Sequence, residues 1–299
     1  MRTIVAAMLF TLALATPMLA ATGNRDLPEI QKEGVLRHLG VPYANFVDGA
    51  DYGLDVELMR LFAKDIGVRY EYVQASWKTV IGDLTGLQTK INGDNVAITG
   101  ATPIRGDVIA NGLTVLPWRQ KILFFSAPTF PTQVWLTAGA QSPMQPIKPS
   151  GDLNKDIALT KALLAGKSVM GITGTCLDPK LYNLDAVQAI TRPFNGSLNE
   201  LIPAVLKGDT ESVLLDVPDS LIALAKWPGQ IKILGPISEQ QEMAVGFRKD
   251  SGKLQRAFAV FYQKIKDDGT YLALVKKYYP DVFAYYPDFF SPKPTQPSK

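Results

Sequence analysis

Residues 106–130 restrict the possible folds more than any other stretch, because they impose a strand, a tight backbone turn and a helix start in immediate succession. They read Gly-Asp-Val-Ile-Ala-Asn-Gly-Leu-Thr-Val-Leu-Pro-Trp-Arg-Gln-Lys-Ile-Leu-Phe-Phe-Ser-Ala-Pro-Thr-Phe. The apolar run Val108–Ala110 predicts a short buried strand, and Gly112 ends it where backbone can approach another group closely. Thr114 offers a hydroxyl just past the strand end, Pro117 suits a first helical turn, and Arg119 follows shortly after. A strand end, a hydroxyl, free backbone N–H groups and a guanidinium thus converge on a small volume. Arg presents a planar fork that matches two oxygens, so the stretch reads as a carboxylate receptor. An ordinary strand–loop–helix junction with a surface Arg has the same spacing, and the residues alone leave both readings open.

With 299 residues, 46% of them hydrophobic, the chain can bury a substantial core in one large or two modest domains. Residues 1–22 read as a secretory signal. Arg2 precedes an apolar run from Ile4 to Ala15, too short for a comfortable membrane span, and small residues follow around Ala20. No Cys stands there to be lipidated, so a periplasmic mature protein is expected, with an uncleaved N-terminal anchor as the alternative. Loss of Arg2 lowers the formal charge from +3 to +2, too weak a bias for nucleic acid as a partner. The chain has one Cys, Cys176, and one His, His38. That leaves no intramolecular disulfide and makes a His/Cys metal site or a Cys-His or Ser-His nucleophile improbable. His38 lies in the strand-like run Val35–Leu39 and reads as structural.

Along the chain, residues 24–33 form a polar lead-in and Gly34–Gly40 a first strand. Pro42–Phe46 is a loop presenting two aromatics, Tyr43 and Phe46. Asp51–Asp65 carries a helical apolar stripe stopped by Gly67, and Val68–Val73 alternates as a second strand. Trp77 precedes a helix through Val80 and Leu84. Thr132–Thr137 reads as an extended crossover, and Ser142–Asp152, rich in Pro, as a surface connection. Glu211–Pro218 is a buried strand ending in Asp216. A carboxylate directly after apolar strand residues suggests a charge awaiting a partner, with a helix-capping Asp as the alternative. Ala244–Phe247 reads as the return crossover, and an aromatic tail, Val282–Phe290, closes the folded part.

These segments resemble the polar-amino-acid class of periplasmic solute-binding proteins (extracellular solute-binding family 3). Asp107, Gly112, Thr114, Arg119, Phe125, Ser126, Pro128 and Phe130 fall on that family's ligand-binding signature without a gap. Gly53, Asp55 and Glu57 match its Gly-Phe-Asp-Val-Asp-Leu segment. Gly166–Thr175 resembles its Gly-Lys-Lys-Val-Gly-Val-x-x-Gly-Thr-Thr motif, and Gly208, Asp216 and Pro218 keep the register of Gly-x-x-Asp-Ala-Val-Val-x-Asp-x-Pro. Asp268-Gly-Thr resembles the start of its closing helix. The departures are Leu116 and Phe124 in place of a usual hydroxyl and Asp, Cys176 in place of a hydroxyl or small residue, and residues 86–105, which intervene before the Asp107 strand. A hairpin is the form expected for that insertion, with no function attached.

The resemblance implies an α/β, two-lobe periplasmic binding protein fold (type II), its lobes joined by two crossover strands. Lobe one would comprise 24–135 and 240–290, lobe two 136–239, and 291–299 a disordered tail. The implied ligand site takes Tyr43, Phe46, Trp77, Gly112, Thr114 and Arg119 from lobe one and Thr173, Thr175 and Asp216 from lobe two. Arg119 would hold a carboxylate, Thr173 and Thr175 would serve an anion at a helix start, and Asp216 would hold an α-ammonium. The implied protein is a monomer that delivers an amino acid or similar small zwitterion to an inner-membrane ABC-type permease, with no metal, cofactor or catalytic residue. Two rivals remain: a periplasmic accessory, interaction or sensor protein on this fold, and a dehydratase resembling the periplasmic arogenate or prephenate enzymes.

Overall fold

The structure, a computed structural model, describes residues 25–290; the expected signal segment and the tail 291–299 lie outside them. The polar lead-in is a helix, α1 (Leu27–Glu33). Asp26 and Glu29 form a reciprocal capping box, a Pro sits in the first turn, and Gly34 ends the helix at φ 72°. Only Ile30 is buried, so there is no apolar stripe to read; capping carries the helix.

Next come β1 (Val35–Gly40), α2 (Leu54–Asp65), β2 (Arg69–Gln74) and α3 (Val80–Thr85). The buried stripe of α2 includes Leu54, Leu58, Met59 and Phe62. Residues 86–105 contain an antiparallel hairpin of β3 (Leu87–Asn92) and β4 (Asn95–Ala101). Its tip is held by Lys121, whose Nζ donates to the Asp94 carbonyl at 2.7 Å and to Asn95 Oδ1 at 2.9 Å. The signature stretch then forms β5 (Val108–Ile109), α4 (Pro117–Ile122) and β6 (Leu123–Phe125), before the crossing strand β7 (Phe130–Thr132).

The second lobe follows: β8 (Val134–Gly139), α5 (Leu153–Ala162), β9 (Ser168–Gly171), β10 (Ile190–Pro193), α6 (Leu201–Lys207), β11 (Ser212–Asp216), α7 (Val217–Lys226) and β12 (Ile231–Pro236). The chain returns through β13 (Gln241–Met243) to β14 (Gly246–Arg248), α8 (Gly252–Asp267), α9 (Thr270–Tyr278) and α10 (Val282–Tyr285). The return crossing is therefore β13, which pairs antiparallel with β7, whereas the expected crossover Ala244–Phe247 runs into β14 of the first sheet. Strand β13 (Gln-Glu-Met) has one apolar residue and gives no strand signal in the sequence; its pairing with β7 identifies it.

Each lobe is built on a five-stranded mixed sheet, ordered β2-β1-β5-β14-β6 in one and β10-β9-β11-β8-β12 in the other. In both, strands from the two crossings run antiparallel to a parallel core. Helix α8 packs on the first sheet, where Phe258 and Phe261 meet Phe62 at ring distances of 5.2 and 5.3 Å. Burying a ring of that size contributes about 1.5–3 kcal/mol. The aromatic tail folds back on the crossings: Phe290 contacts Phe130 at 5.8 Å, and Tyr285 contacts Trp135 at 5.5 Å. Among the described residues no helix is long and apolar enough to cross a membrane.

Candidate ligand-binding site

Strand β1 delivers the chain to a loop that a bridge between Tyr43 and Val47 folds back on itself. Tyr43 is buried there, stacked on Phe46 at 5.4 Å and edge-on to Trp77 at 5.8 Å. Beside it, β5 stops and the backbone turns at Gly112 with φ 62°. A Cβ at Gly112 would lie 2.6 Å from both the Tyr43 and Phe46 rings, so the turn and the close approach both require glycine. The Gly112 N–H donates to Asp55 Oδ2 at 2.7 Å, which ties the turn to the first turn of α2. Burial pushes the Asp55 carboxyl up to about 7.

Helix α4 starts with Pro117 and brings Arg119 inward, 2% exposed. Its Nη1 donates to the Thr114 carbonyl at 2.9 Å, and its Nη2 reaches the second lobe, donating to the Gly174 carbonyl at 3.2 Å. The guanidinium carbon lies 5.9 Å from the Trp77 ring, within cation–π range. Nε is buried without a hydrogen-bond partner among the described residues. Burial lowers the Arg119 pKa to about 10, which leaves the group charged at neutral pH.

From the second lobe, β9 leads into a turn in which Thr175 Oγ1 donates to the Ile172 carbonyl at 2.8 Å and accepts from the Leu177 N–H at 3.0 Å. Strand β11 ends at Asp216, which also caps α7 by accepting from the Asp219 N–H at 3.3 Å. The two readings of Asp216 are thus not exclusive: it is a helix cap and a buried cleft carboxylate. Tyr43 donates its hydroxyl to Asp216 Oδ2 from the opposite lobe, and the Cys176 thiol lies 3.7 Å from the same oxygen. Burial pushes Asp216 up to about 6, against the opposing pull of these hydrogen bonds. Burial also raises the Cys176 thiol, with the Asp216 charge adding to it, so Cys176 is a hydrogen-bond donor here rather than a thiolate nucleophile.

Tyr43, Trp77, Gly112, Thr114, Arg119, Thr175 and Asp216 all line one small cavity, joined by Cys176, Leu177 and Leu198. Two expected residues stand elsewhere. Phe46 is absent from the lining; it lies under Tyr43, in aromatic contact with Phe130 at 5.1 Å and Tyr279 at 5.0 Å. Its ring supports the wall instead of forming it, because one side of the loop must fill the core. Thr173 is exposed and also outside the lining, since the turn directs Thr175 inward in its place. Leu198 and Asp219 were not singled out from sequence, and Asp55 was noted only as a match to a family segment, without a role at the site. For Asp219 a signal exists, its position three residues after Asp216, the cap of α7.

A larger groove opens at the crossings between the start of α4 and the aromatic tail. Glu239, Glu242 and Asp288 rim it and no Lys or Arg lines it, so it lacks a cationic group to receive a carboxylate. His38 is wholly buried, with Nδ1 2.9 Å from the Tyr70 hydroxyl and Nε2 2.6 Å from the Ala110 carbonyl, a structural role. Among the described residues no group of His, Cys, Asp and Glu is arranged to hold a metal ion.

Residues 85–281 match the family model of the bacterial extracellular solute-binding proteins, family 3. The chain belongs to this family. Solved structures of similar fold include a mutant of ArgBP from T. maritima, with TM-score 0.68 and 22% identity over 85% of this chain and 99% of that one. An ancestral arginine-binding protein bound to arginine gives TM-score 0.66 and 20% identity, covering 82% and 98%. The ancestral amino acid-binding protein AncCDT-1, a precursor of cyclohexadienyl dehydratase, gives 0.64 and 22%, covering 85% and 98%. These are two-lobe type II periplasmic binding proteins, and so is the fold of this family 3 chain. The chain is also 27% identical over 233 residues to the membrane-bound lytic murein transglycosylase F of Desulfosudis oleivorans. That match covers 76% of this chain and 44% of the transglycosylase, so this family 3 protein spans less than half of that relative.

Proposed function

We propose that the protein binds an amino acid or similar small zwitterion between its lobes and hands it to an ABC-type permease, without catalysing a reaction. The observation that supports this is the presence of Arg119 and Asp216, contributed by opposite lobes, on the same cavity. A ligand carboxylate would take Arg119, whose Nε is unpartnered and whose Nη2 is satisfied only by a carbonyl of the other lobe. The ligand ammonium would replace the Tyr43 hydroxyl on Asp216. Each end is then held by a charge-assisted hydrogen bond worth about 1.5–3 kcal/mol, and lobe closure is coupled to binding. Three or four such bonds, less the cost of ordering and desolvation, suit an affinity near micromolar, roughly −8 kcal/mol. Calorimetric titration with a panel of amino acids tests this. Heat is expected from the parent and none from Arg119→Ala, and silence of the parent across all zwitterions discards the reading.

A second reading, an accessory or sensor protein, draws support from the murein transglycosylase relative and from the β3–β4 hairpin beside the cleft. Capture of a partner from periplasmic extract by the parent, but not by a chain lacking residues 86–105, would favour it. The dehydratase reading is weaker, because Asp216 is better used as an ammonium acceptor. Phenylpyruvate formed from prephenate would revive it.

A further inference from the structure

The ammonium end of the cleft contains more acid than one ammonium acceptor requires. Asp219 lies one turn into α7 from Asp216, is 7% exposed, and its Oδ2 is buried with no hydrogen-bond partner among the described residues. Asp216 caps α7 and Asp219 follows three residues later, its backbone N–H donating to Asp216 Oδ1 at 3.3 Å. The groups that face the pair are neutral. From the first lobe and the tail they are Tyr43, Tyr279 and Tyr286; from the connection after β9 they are Cys176 and Tyr182. Burial raises the pKa of every one of these, so none of them ionises near neutral pH.

The available cations are committed elsewhere. Arg119 lines the cavity with Asp216 but donates to two backbone carbonyls. Lys226, at the far end of α7, lines a neighbouring cavity with Asp219, and its Nζ stands over the Trp227 ring at 4.6 Å. No ion pair reaches either carboxylate among the described residues. Two buried carboxylates side by side with no counter-ion cannot both stay ionised, and the low-cost remedy is to keep a proton.

We propose that Asp216 and Asp219 share one proton in the ligand-free protein and that the ammonium group of the ligand expels it. This rests on the amino-acid reading above and couples Asp219 to the recognition of cationic nitrogen through Asp216. The balance is simple: the ligand brings one positive charge and its N–H donors, the carboxyl pair releases one proton to solvent, and the net charge of the site is unchanged. A ligand ammonium would take Asp216, which lines the ligand cavity, and its charge would act on Asp219, which lines the neighbouring one, across the Asp216 cap. Burial holds Asp216 up to about 6, and burial together with the Asp216 charge pushes Asp219 well above the ordinary carboxylate range. Affinity therefore rises as pH rises, approaching about tenfold per pH unit where one whole proton is released.

The test is calorimetry with each of the twenty standard L-amino acids, repeated at pH 7 in phosphate and in Tris, buffers of very different ionisation enthalpy. For any amino acid that binds, the heats should differ between buffers by an amount equal to about one released proton. Its affinity should increase from pH 5.5 to 8. Asp219→Asn should release markedly less, and Asp219→Glu should restore the release. Equal heats in the two buffers overturn the proposal while leaving the binding function standing, and the parent alone suffices for that comparison. An unchanged proton count in a folded Asp219→Asn also overturns it. Silence of the parent toward every amino acid removes the underlying reading and this inference with it.

Discussion

Tyr43 of the first lobe donates its hydroxyl to Asp216 of the second, so the buried acid takes a neutral donor from across the cleft. The Arg119 bond to the Gly174 carbonyl is a second tie between the lobes. Both contacts use groups that a zwitterion would claim, so bonds between the lobes and bonds to a ligand compete for them.

Removing one tie should shift that balance. In Tyr43→Phe the ring stays on Phe46 while the hydroxyl is lost, at a cost of about 0.5–1.5 kcal/mol to the closed empty state, roughly two- to tenfold in population. Small-angle scattering of the unliganded variant should report a larger radius of gyration than the parent. An identical profile would show that Tyr43 does not hold the lobes together.

Asp55 gives a pH-dependent prediction. Its folded pKa is raised to about 7 by burial, so between pH 4 and 7 the native state holds a proton that the unfolded chain has lost. The stability contributed by this group is full below that window and lost as pH rises through it, on the order of 4 kcal/mol at most. His38 acts in the opposite sense, since burial lowers it to about 4 and stability is gained as pH rises above that value. The quantity to measure is therefore the difference in urea-unfolding free energy between the parent and Asp55→Asn. The difference should move against the parent from pH 4 to 7; a constant difference would mean that Asp55 does not titrate in that range.

The β3–β4 hairpin touches both lobes. It belongs in sequence to the first, yet the Ile91 Cδ1 lies 3.6 Å from where a Cβ on Gly174 would stand, in the turn whose carbonyl receives Arg119. Ile91→Ser should remove an apolar contact made only when the lobes are closed. Ligand dissociation measured by stopped flow should accelerate by roughly threefold or more, from a loss of about 0.8 kcal/mol per buried methylene, while association changes little. Unchanged dissociation would confine the hairpin to the first lobe's own stability.

Most of the elements were legible because their signals are local. Gly112, Thr114 and Arg119 lie within one strand–turn–helix, and Asp216 closes an apolar strand immediately before a helix; spacing left the functional and the ordinary reading of each open, and the family resemblance supplied the rest of the candidate site. Helix α1 was not legible, because a short helix with one buried residue is made by caps rather than by periodicity. The return crossing was misplaced by a few residues because β13, Gln-Glu-Met, is largely polar and is made a strand by its pairing with β7.

The sequence by itself determined which residue types sit at strand ends and helix starts, since backbone sterics and capping act over a few neighbouring residues. Only the tertiary structure decided that Phe46 supports Tyr43 from behind, that Thr175 and not Thr173 faces the cavity, and that Asp219 is left without a partner. Those outcomes depend on side chains that approach from distant parts of the chain, as with the 173 positions between Tyr43 and Asp216, and burial then sets which of them carry charge.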